Sequence, residues 1–125
     1  MDKIFIRHPA PYTPDHLTEE PAPLFRRRFT VRAGINAARL TVCALGLGEI
    51  FLNGRPVTKD RFLAPYSNYE KTLWYTEHDV TTLLKEGENL AAAALGNGFY
   101  NESLHTAWDF DAAPWRDVPK LLFRL

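Results

Sequence analysis

The chain has 125 residues, of which 46% are hydrophobic and 13% aromatic, a composition typical of one globular domain with its own core. Fifteen basic residues balance fifteen acidic ones, which argues against nucleic acid or an anionic membrane surface as a partner. Cys43 is the single cysteine; it excludes an internal disulfide and is expected to be a small buried hydrophobe. The sequence shows neither a membrane-spanning run nor a secretory signal, so we expect a cytoplasmic protein without a membrane partner.

The first 23 residues differ in character from the rest. Residues 3–7 place Ile4 and Ile6 on one side of a short predicted strand. A connector with five prolines follows and predicts extended coil. Thr18 can begin a helical turn, which Pro21 would end. We therefore divide the chain into this strand and connector, residues 1–23, and a β domain, residues 24–125.

Residues 25–32 alternate apolar and polar side chains, which predicts a strand with one buried face. Phe25 and Phe29 lie on the apolar face, and Arg27 lies between them on that same face. An arginine on the apolar face is expected to lie near the beginning of the strand or to have an acidic partner. The three arginines of residues 26–28 could suggest nucleic-acid binding, but a strand divides them between two faces. A solvated edge strand that resists aggregation is the better interpretation.

Residues 40–57 carry the strongest structural signal in the chain. Alternating side chains predict a strand, which Gly46 and Gly48 interrupt as a bend or bulge before a second strand begins. Asn53 and Gly54 then predict a type I′ hairpin turn, because that turn needs positive φ at both central positions.

Three further strands and one helical turn are predicted after the hairpin. The strands cover residues 69–76, 89–95 and 121–125, the second of them despite four consecutive alanines that would suit a helix. Residues 81–85 predict one helical turn, partly 3₁₀, whose leucines would close one end of the core. Since the last strand stops with the chain, we expect the β domain to be incomplete and cut within a strand.

Residues 97–119 form a long segment with little periodicity, and loops of this length are usually functional. This long loop and the region around residues 66–69, which follows the hairpin, are rich in aromatic residues: Tyr66, Tyr69, Phe99, Tyr100, Trp108, Phe110 and Trp115. Such rings can stack on sugars, form an interdomain contact or pack on the domain's own core. The area of so many rings on one arm favours an interdomain contact, with one or two of them reaching a sugar.

The sequence offers little of the chemistry that catalysis needs. Glu102, Asp109, Asp111 and Asp117 share the long loop, but nothing in the sequence fixes a separation suited to an acid–base pair. His105 with Asp109 is at most a weak pair, and the histidines lack metal-ligand spacing. We therefore expect no catalytic residue, no metal and no cofactor in this chain.

Several motifs taken together resemble one known family. In chain order they are Ala38-Arg39-Leu40, Ala44-Leu45-Gly46, Leu52-Asn53-Gly54, Leu63-Ala64-Pro65, Asp79-Val80-Thr81, Gly87-Glu88-Asn89, Leu95-Gly96-Asn97-Gly98-Phe99-Tyr100, Trp108-Asp109-Phe110 and Ala113-Pro114-Trp115-Arg116. Their order and spacing resemble the N-terminal β-sandwich domain of bacterial α-L-rhamnosidases. Single motifs, such as the hairpin turn, also resemble the jelly-roll domains of β-galactosidase-like hydrolases.

The resemblance implies an all-β fold, an antiparallel jelly-roll-like β-sandwich of the galactose-binding type with one short helical turn. It implies a non-catalytic accessory domain that packs on a catalytic (α/α)-barrel absent from this chain. Such a domain would help to shape the recognition of rhamnose-containing carbohydrate. The alternatives are an independent carbohydrate-binding module and the same module from another glycoside hydrolase, such as a β-galactosidase-like enzyme.

The candidate contacts to carbohydrate or to the other domain all lie in the long loop. They are Asn97, Phe99, Tyr100, Trp108, Asp109, Trp115 and Arg116. Arg116 is expected to offer bidentate hydrogen bonds. Alone, the chain is expected to self-associate through this uncovered loop and through an unpaired strand edge at residues 121–125.

Overall fold

Two antiparallel sheets of four strands each form the molecule in a computed structural model that describes residues 5–9, 21–61, 63 and 65–125. The first sheet has the order β1-β8-β3-β6, and these strands cover Ile6–Arg7, Lys120–Arg124, Arg39–Leu45 and Thr76–Asp79. The second sheet has the order β2-β7-β4-β5, and these strands cover Leu24–Val31, Gly87–Gly96, Leu47–Leu52 and Arg55–Pro56. The predicted all-β, jelly-roll-like sandwich is confirmed. In the described part of the chain, no helix has the length and apolar character that a membrane span requires.

The main core lies between the two sheets and follows the alternation of their strands. Its largest fully buried side chains are Leu40, Leu52, Leu95, Leu121, Val42 and Val80. The four-alanine run lies in β7, where Ala91 and Ala93 are buried while their neighbours face outward. The pairing of β7 with β2 on one side and with β4 on the other therefore outweighs the helix propensity of alanine, and the strand predicted there is confirmed.

A second, smaller core lies on the outer face of the first sheet. Cys43 and Leu45 alternate with the inward residues of β3 and are buried against Tyr100, with Trp115 packed at the margin. Burial raises the pKa of the Cys43 thiol to about 11, so this side chain is a protonated hydrophobe at neutral pH. The long loop, residues 97–119, therefore covers a face of the sheet instead of standing away from the domain.

The chain crosses from the first sheet to the second at Gly46, between β3 and β4. Its φ is +104°, and a Cβ atom at this position would lie 2.3 Å from the backbone oxygen of Gly96. Only glycine fits such a close approach. The predicted bend is therefore the point at which the strand changes sheets.

The predicted hairpin joins β4 to β5 through Asn53 and Gly54, whose φ angles of +51° and +78° suit a type I′ turn. The Asn53 side-chain amide donates to the backbone oxygen of Leu83 at 2.9 Å and to Oδ1 of Asn89 at 2.7 Å. Asn89 is 1% exposed and bonds both the N–H and the C=O of Lys85, at 3.0 and 2.7 Å. We call Asn53, Asn89 and their hydrogen-bond partners the amide network.

The predicted helical turn is present as a 3₁₀ turn at Thr81–Leu83. A carboxylate oxygen of Asp79 accepts a hydrogen bond from the backbone N–H of Thr81 at 2.9 Å, which begins the turn. Leu83 and Leu84 pack against the main core, as predicted.

The strand predicted for residues 69–76 is wrong except at its last residue, because β6 begins at Thr76. A turn precedes it: the backbone N–H of Thr72 donates to the Asn68 carbonyl at 2.9 Å. The Asn68 side chain also accepts from the N–H of Glu70 at 3.1 Å, a local bond that competes with strand pairing.

The unpaired edge predicted at residues 121–125 is only partly present. β8 lies inside the first sheet, where β3 pairs along its whole length on one side. On the other side, Arg7 and Ile6 of β1 pair with Lys120 and Leu121. Beyond Leu121 this second side has no partner among the described residues.

The N-terminal predictions are only partly covered by the structure. Of the strand predicted for residues 3–7, Ile6 and Arg7 form β1 and Phe5 precedes it. Residues 3 and 4, the helical turn at residues 18–20 and most of the proline-rich connector lie outside the described residues.

Candidate functional site

Six rings from two loops form a continuous group, which we call the aromatic cluster. Its members are Tyr66, Tyr69, Phe99, Tyr100, Phe110 and Trp115. The ring centroids of contacting pairs lie 5.1–6.2 Å apart, at the separations that favourable aromatic pairs adopt. The sequence predicted aromatic loops, but it contained no signal that the two loops would meet.

The aromatic cluster runs from the second core to the surface. Tyr100 is 4% exposed and packs on Cys43 and Leu45, whereas Tyr66 and Phe99 are 46% and 51% exposed. The inner rings therefore pack on the domain's own core, which was one of the three roles considered for them. The outer rings remain partly exposed.

Trp108 stands apart from the aromatic cluster. Its side chain is 76% exposed and makes none of the ring contacts found in the described part of the chain. Leu104, from the same stretch of loop, is 65% exposed. Asp109 follows with a left-handed φ of +52°, and the 3₁₀ turn Phe110–Ala112 then returns the chain to the cluster.

Arg116 and Asn97, two predicted contact residues, bond within the loop. Nη1 of Arg116 donates to the backbone oxygen of Asp111, which ties the end of the loop to its 3₁₀ turn. This engagement uses part of the guanidinium that was expected to offer bidentate bonds. Oδ1 of Asn97 accepts from the side-chain amide of Asn101 at 3.1 Å.

A cleft of about 550 Å³ lies between the outer face of the first sheet and the two aromatic loops. We call it the amphipathic cleft; its lining is Phe5, Arg7, Leu45, Tyr69, Glu70, Leu73, Tyr100, Trp115, Asp117 and Lys120. Small-molecule sites typically measure about 300–1,000 Å³ and combine apolar walls with a few polar groups, as this cleft does.

Asp117 bonds both cations of the amphipathic cleft, Lys120 at 2.8 Å and Arg7 at 3.3 Å. Burial alone would raise the pKa of Asp117, but hydrogen bonds from Lys120 and the Val118 N–H, with the nearby positive charges, lower it below its usual value. Burial alone would lower the pKa of Lys120, but bonding to Asp117 raises it. The pair is therefore ionised at neutral pH, and Asp117 is unsuited to donate a proton as a glycosidase acid does.

His105, Asp109 and Asp111 come together in the long loop, with one potential ligand atom from each lying within 4.8 Å of the others. Nδ1 of His105 is 3.8 Å from Asp109 and 3.3 Å from Asp111. The sequence suggested only the first of these contacts. Exposed carboxylates often cluster without binding an ion, so we assign no metal to this group.

Sequence reasoning missed Arg7 and Lys120 as residues of the site. They face each other in the register of β1 and β8, although 113 positions separate them in the chain (120 − 7). A single arginine in a strand of two residues does not indicate which distant strand it will pair with.

Residues 33–125 match the model of the family described as Alpha-L-rhamnosidase N-terminal domain. An α-L-rhamnosidase from Formosa agariphila is 38% identical over 98 residues, which are 78% of this chain and 10% of that protein. The structure of an Aspergillus terreus α-L-rhamnosidase superposes with a TM-score of 0.82 at 27% identity, over 98% of this chain and 14% of that one. A Streptomyces avermitilis α-L-rhamnosidase complexed with L-rhamnose gives a TM-score of 0.72 at 32% identity, over 82% and 10%.

The chain thus spans about a tenth of the length of the relatives that it matches. The match to the family model covers most of the chain. It includes the hairpin, the central strands β3 and β8 of the first sheet, the central strands β4 and β7 of the second sheet, and the whole long loop. The chain belongs to the α-L-rhamnosidase N-terminal domain family.

Proposed function

We propose that this chain is the non-catalytic accessory module of an α-L-rhamnosidase, which packs on a catalytic (α/α)-barrel and helps to shape carbohydrate recognition. The observation that carries the proposal is the exposed part of the aromatic loops: Tyr66 and Phe99 at the outer side of the aromatic cluster, and Trp108 and Leu104, which belong to the same long loop as Phe99. We call these four residues the apolar rim.

The apolar rim has the composition of an interdomain contact. Aromatic residues are enriched at protein interfaces, whereas a free soluble domain rarely leaves several large rings uncovered. Phe110 contacts both Tyr66 and Phe99, so these two rings of the apolar rim are held in place before docking. A surface that is rigid before docking loses little conformational entropy on association.

A non-catalytic role is supported by the carboxylates of the long loop. Asp117, the most enclosed of the ion-paired ones, is held ionised by Lys120 and Arg7. Asp109 is exposed and lies beside His105. Asp111 lies close to Asp109, but neither of them lines the amphipathic cleft, so this pair does not flank a substrate site as the two carboxyl groups of a glycoside hydrolase do.

The docking proposal can be tested in a chimera in which this chain replaces the corresponding domain of the Streptomyces avermitilis enzyme. Phe99→Ser with Trp108→Ser should lower the thermal stability and the aryl α-L-rhamnoside turnover of the chimera, because the interdomain contact is lost. Trp74→Ser is the matched control, since Trp74 is 51% exposed but lies outside the aromatic cluster. A chimera that tolerates the double variant as well as the control would contradict docking through the apolar rim.

A second candidate, an independent carbohydrate-binding module, is favoured by one observation, the amphipathic cleft. Rings of Tyr69 and Trp115 line it together with the charged groups of Asp117 and Lys120, and such a lining suits a polyol with one apolar face.

Calorimetry of the chain with L-rhamnose separates the two candidates. The accessory role predicts no saturable heat at millimolar sugar from the chain alone. Saturable binding that disappears in Trp115→Ala but persists in Trp74→Ala would favour the binding module. Binding lost in Trp108→Ala instead would assign the sugar to the apolar rim.

A further inference from the structure

β2 is a terminal strand of the second sheet. It pairs with β7 from Leu24 to Val31, and none of the described residues pairs with its other side. The backbone N–H and C=O groups of every second residue of β2 therefore face outward from the sheet, while those of the other residues bond to β7. Proteins usually cover such an edge or protect it with charge.

The sandwich is open beside this edge. A cleft of about 640 Å³ lies between β2 and β7 of one sheet and β1 and β8 of the other, and we call it the open cleft. Its apolar lining includes Phe25, Phe29, Ala91, Ala93, Leu121 and Phe123. Phe25, Phe29 and Phe123 are packed against the main core but only partly buried. Among the described residues, therefore, no further layer covers the core on this side.

Arg27 lies on the inner face of β2, between Phe25 and Phe29 and opposite Ala91 of β7. Its side chain is exposed in the open cleft and has no ion pair among the described residues. Arg28, on the outer face, differs, since it lies 3.6 Å from Glu88.

Arg26 and Arg124 also border the open cleft, at strand positions that alternate with its inward-facing residues, and its lining contains no acidic residue. An inward charge on an edge strand can by itself discourage aggregation. That role explains one arginine in this position. It does not explain why an apolar cleft of this volume is bordered by arginines and by no carboxylate side chain.

We propose that the open cleft binds an extended segment in which apolar side chains alternate with carboxylates, supplied by the rest of the longer protein. Main-chain bonds to the free edge of β2 would align the segment, its apolar side chains would cover the phenylalanines, and a carboxylate would pair with Arg27. Only the source of the segment rests on the accessory role proposed above. The chemistry of the occupant follows from the cleft itself.

A second copy of this chain is a poor occupant. Two copies that meet edge to edge about a two-fold axis would bring the arginines of residues 26–28 near their own equivalents. Like charges that face each other across paired strands destabilise the pairing. The occupant must therefore carry the opposite charge.

The test uses the chain as it is and a fluorescein-labelled peptide of alternating valine and glutamate, with eight residues to match β2. The matched probe has lysine in place of glutamate. Anisotropy should show saturable binding of the glutamate peptide only, and hydrogen exchange should slow at outward-facing amides of β2. Arg27→Glu should weaken binding about tenfold, as expected for one lost charge-assisted contact.

Arg124→Glu is a second variant, at an exposed position, and should also weaken binding. Arg55→Glu is the control, because Arg55 lies in β5 at the opposite edge of the same sheet. Circular dichroism verifies that each variant is folded. Absence of binding, equal binding of both peptides, or binding that neither Arg27→Glu nor Arg124→Glu weakens would each overturn the proposal.

Two further outcomes would assign the open cleft to another occupant and so overturn the proposal. One is a dimer that Leu125→Ser abolishes and Trp108→Ser does not, which would indicate a second copy. The other is peptide binding that appears only after residues 10–20 are replaced by a glycine–serine segment of equal length. Apart from the Trp108→Ser comparison, these measurements do not involve the apolar rim, so the docking proposal can fail or stand independently.

Discussion

The two ends of the paired strands β4 and β7 differ in how completely their buried polar side chains are hydrogen-bonded. At one end, the side-chain amides of Asn53 and Asn89 both donate and accept hydrogen bonds within the amide network. At the other end, the long loop contains four buried side-chain atoms without a partner among the described residues. They are Oδ1 of Asn101, Oδ1 of Asp111, Nε1 of Trp115 and Nε of Arg116.

This difference indicates which end satisfies its buried polar groups without a partner. Buried polar groups in stable proteins are nearly always paired, and in the amide network the side chains of Asn53 and Asn89 are paired within the domain. The loop end combines unpaired buried atoms with large exposed rings, and a docked partner would cover the rings. We therefore expect substitutions at the first end to change stability and substitutions at the second to change association.

The largest effect should come from Asn89→Ala, which breaks the amide network. Asn89 donates to the backbone oxygens of Lys85 and Gly87, and it accepts from Lys85 N–H and from Asn53. Its loss leaves several buried groups unpaired, so the free energy of unfolding should fall by about 4 kcal/mol. Urea denaturation measures the change.

Asn101→Ala is the matched control at the loop end. Its side chain makes one described hydrogen bond, to Asn97, and its own oxygen is already unpaired. We expect a loss below about 1 kcal/mol. Equal losses in the two variants would remove the distinction between the two ends.

The next effect concerns Gly46, at the base of the loop end. Gly46→Ala would place a Cβ 2.3 Å from the Gly96 oxygen and 2.9 Å from the Asn97 oxygen, both of them backbone atoms. Together with the positive φ, this should lower the free energy of unfolding by about 3 kcal/mol. Gly54→Ala is the control: its φ of +78° is also positive, but nothing lies within 4 Å of the added atom. Its cost should be about 1 kcal/mol, that of the conformation alone.

A smaller effect, dependent on pH, is expected at Asp117, which attaches the loop end to β1 and β8. Its pKa is lowered in the folded protein, chiefly by hydrogen bonds and charges that overcome the effect of burial. Such a group stabilises the fold above the carboxyl's unfolded pKa, and the stabilisation disappears as the pH falls through the folded pKa. Asp117→Asn should therefore cost about 1 kcal/mol at neutral pH and almost nothing in strong acid.

Stability measured against pH for both proteins tests this directly. Glu77→Gln is the control, because its ion pair with Arg39 spans 3.9 Å between exposed side chains and should contribute little at any pH. A constant difference between Asp117→Asn and the natural chain, from neutral pH down to strong acid, would be inconsistent with an electrostatic role.

The sequence predicted the amide end well because its signals are local. Positive φ at Asn53 and Gly54 follows from two adjacent residues, and the alternation in β3 and β7 follows from a period of two. The run from Tyr69 misled for an equally local reason: bonds to the side chain and carbonyl of Asn68 make a turn out of strand-forming residues.

The loop end was less predictable because its contacts join distant parts of the chain. The meeting of Tyr66 with Phe99 and Phe110, and of Arg7 with Asp117, depends on how two loops cover a sheet face. No period or turn motif encodes such contacts. The aromatic content showed that this region was unusual, but the division into buried inner rings and an exposed rim required the three-dimensional structure.

The smallest effect on stability should come from Trp108→Ser, in the apolar rim, since a side chain 76% exposed buries little area. The free energy of unfolding should change by less than about 0.5 kcal/mol. Self-association of the chain should nevertheless decrease, because Trp108 and Phe99 are the large uncovered rings of the long loop. Sedimentation velocity over a concentration series measures it, with Trp74→Ser as the control. Association that persists in Trp108→Ser combined with Phe99→Ser would instead assign it to strand edges, where β8 lacks a described partner beyond Leu121 on its β1 side.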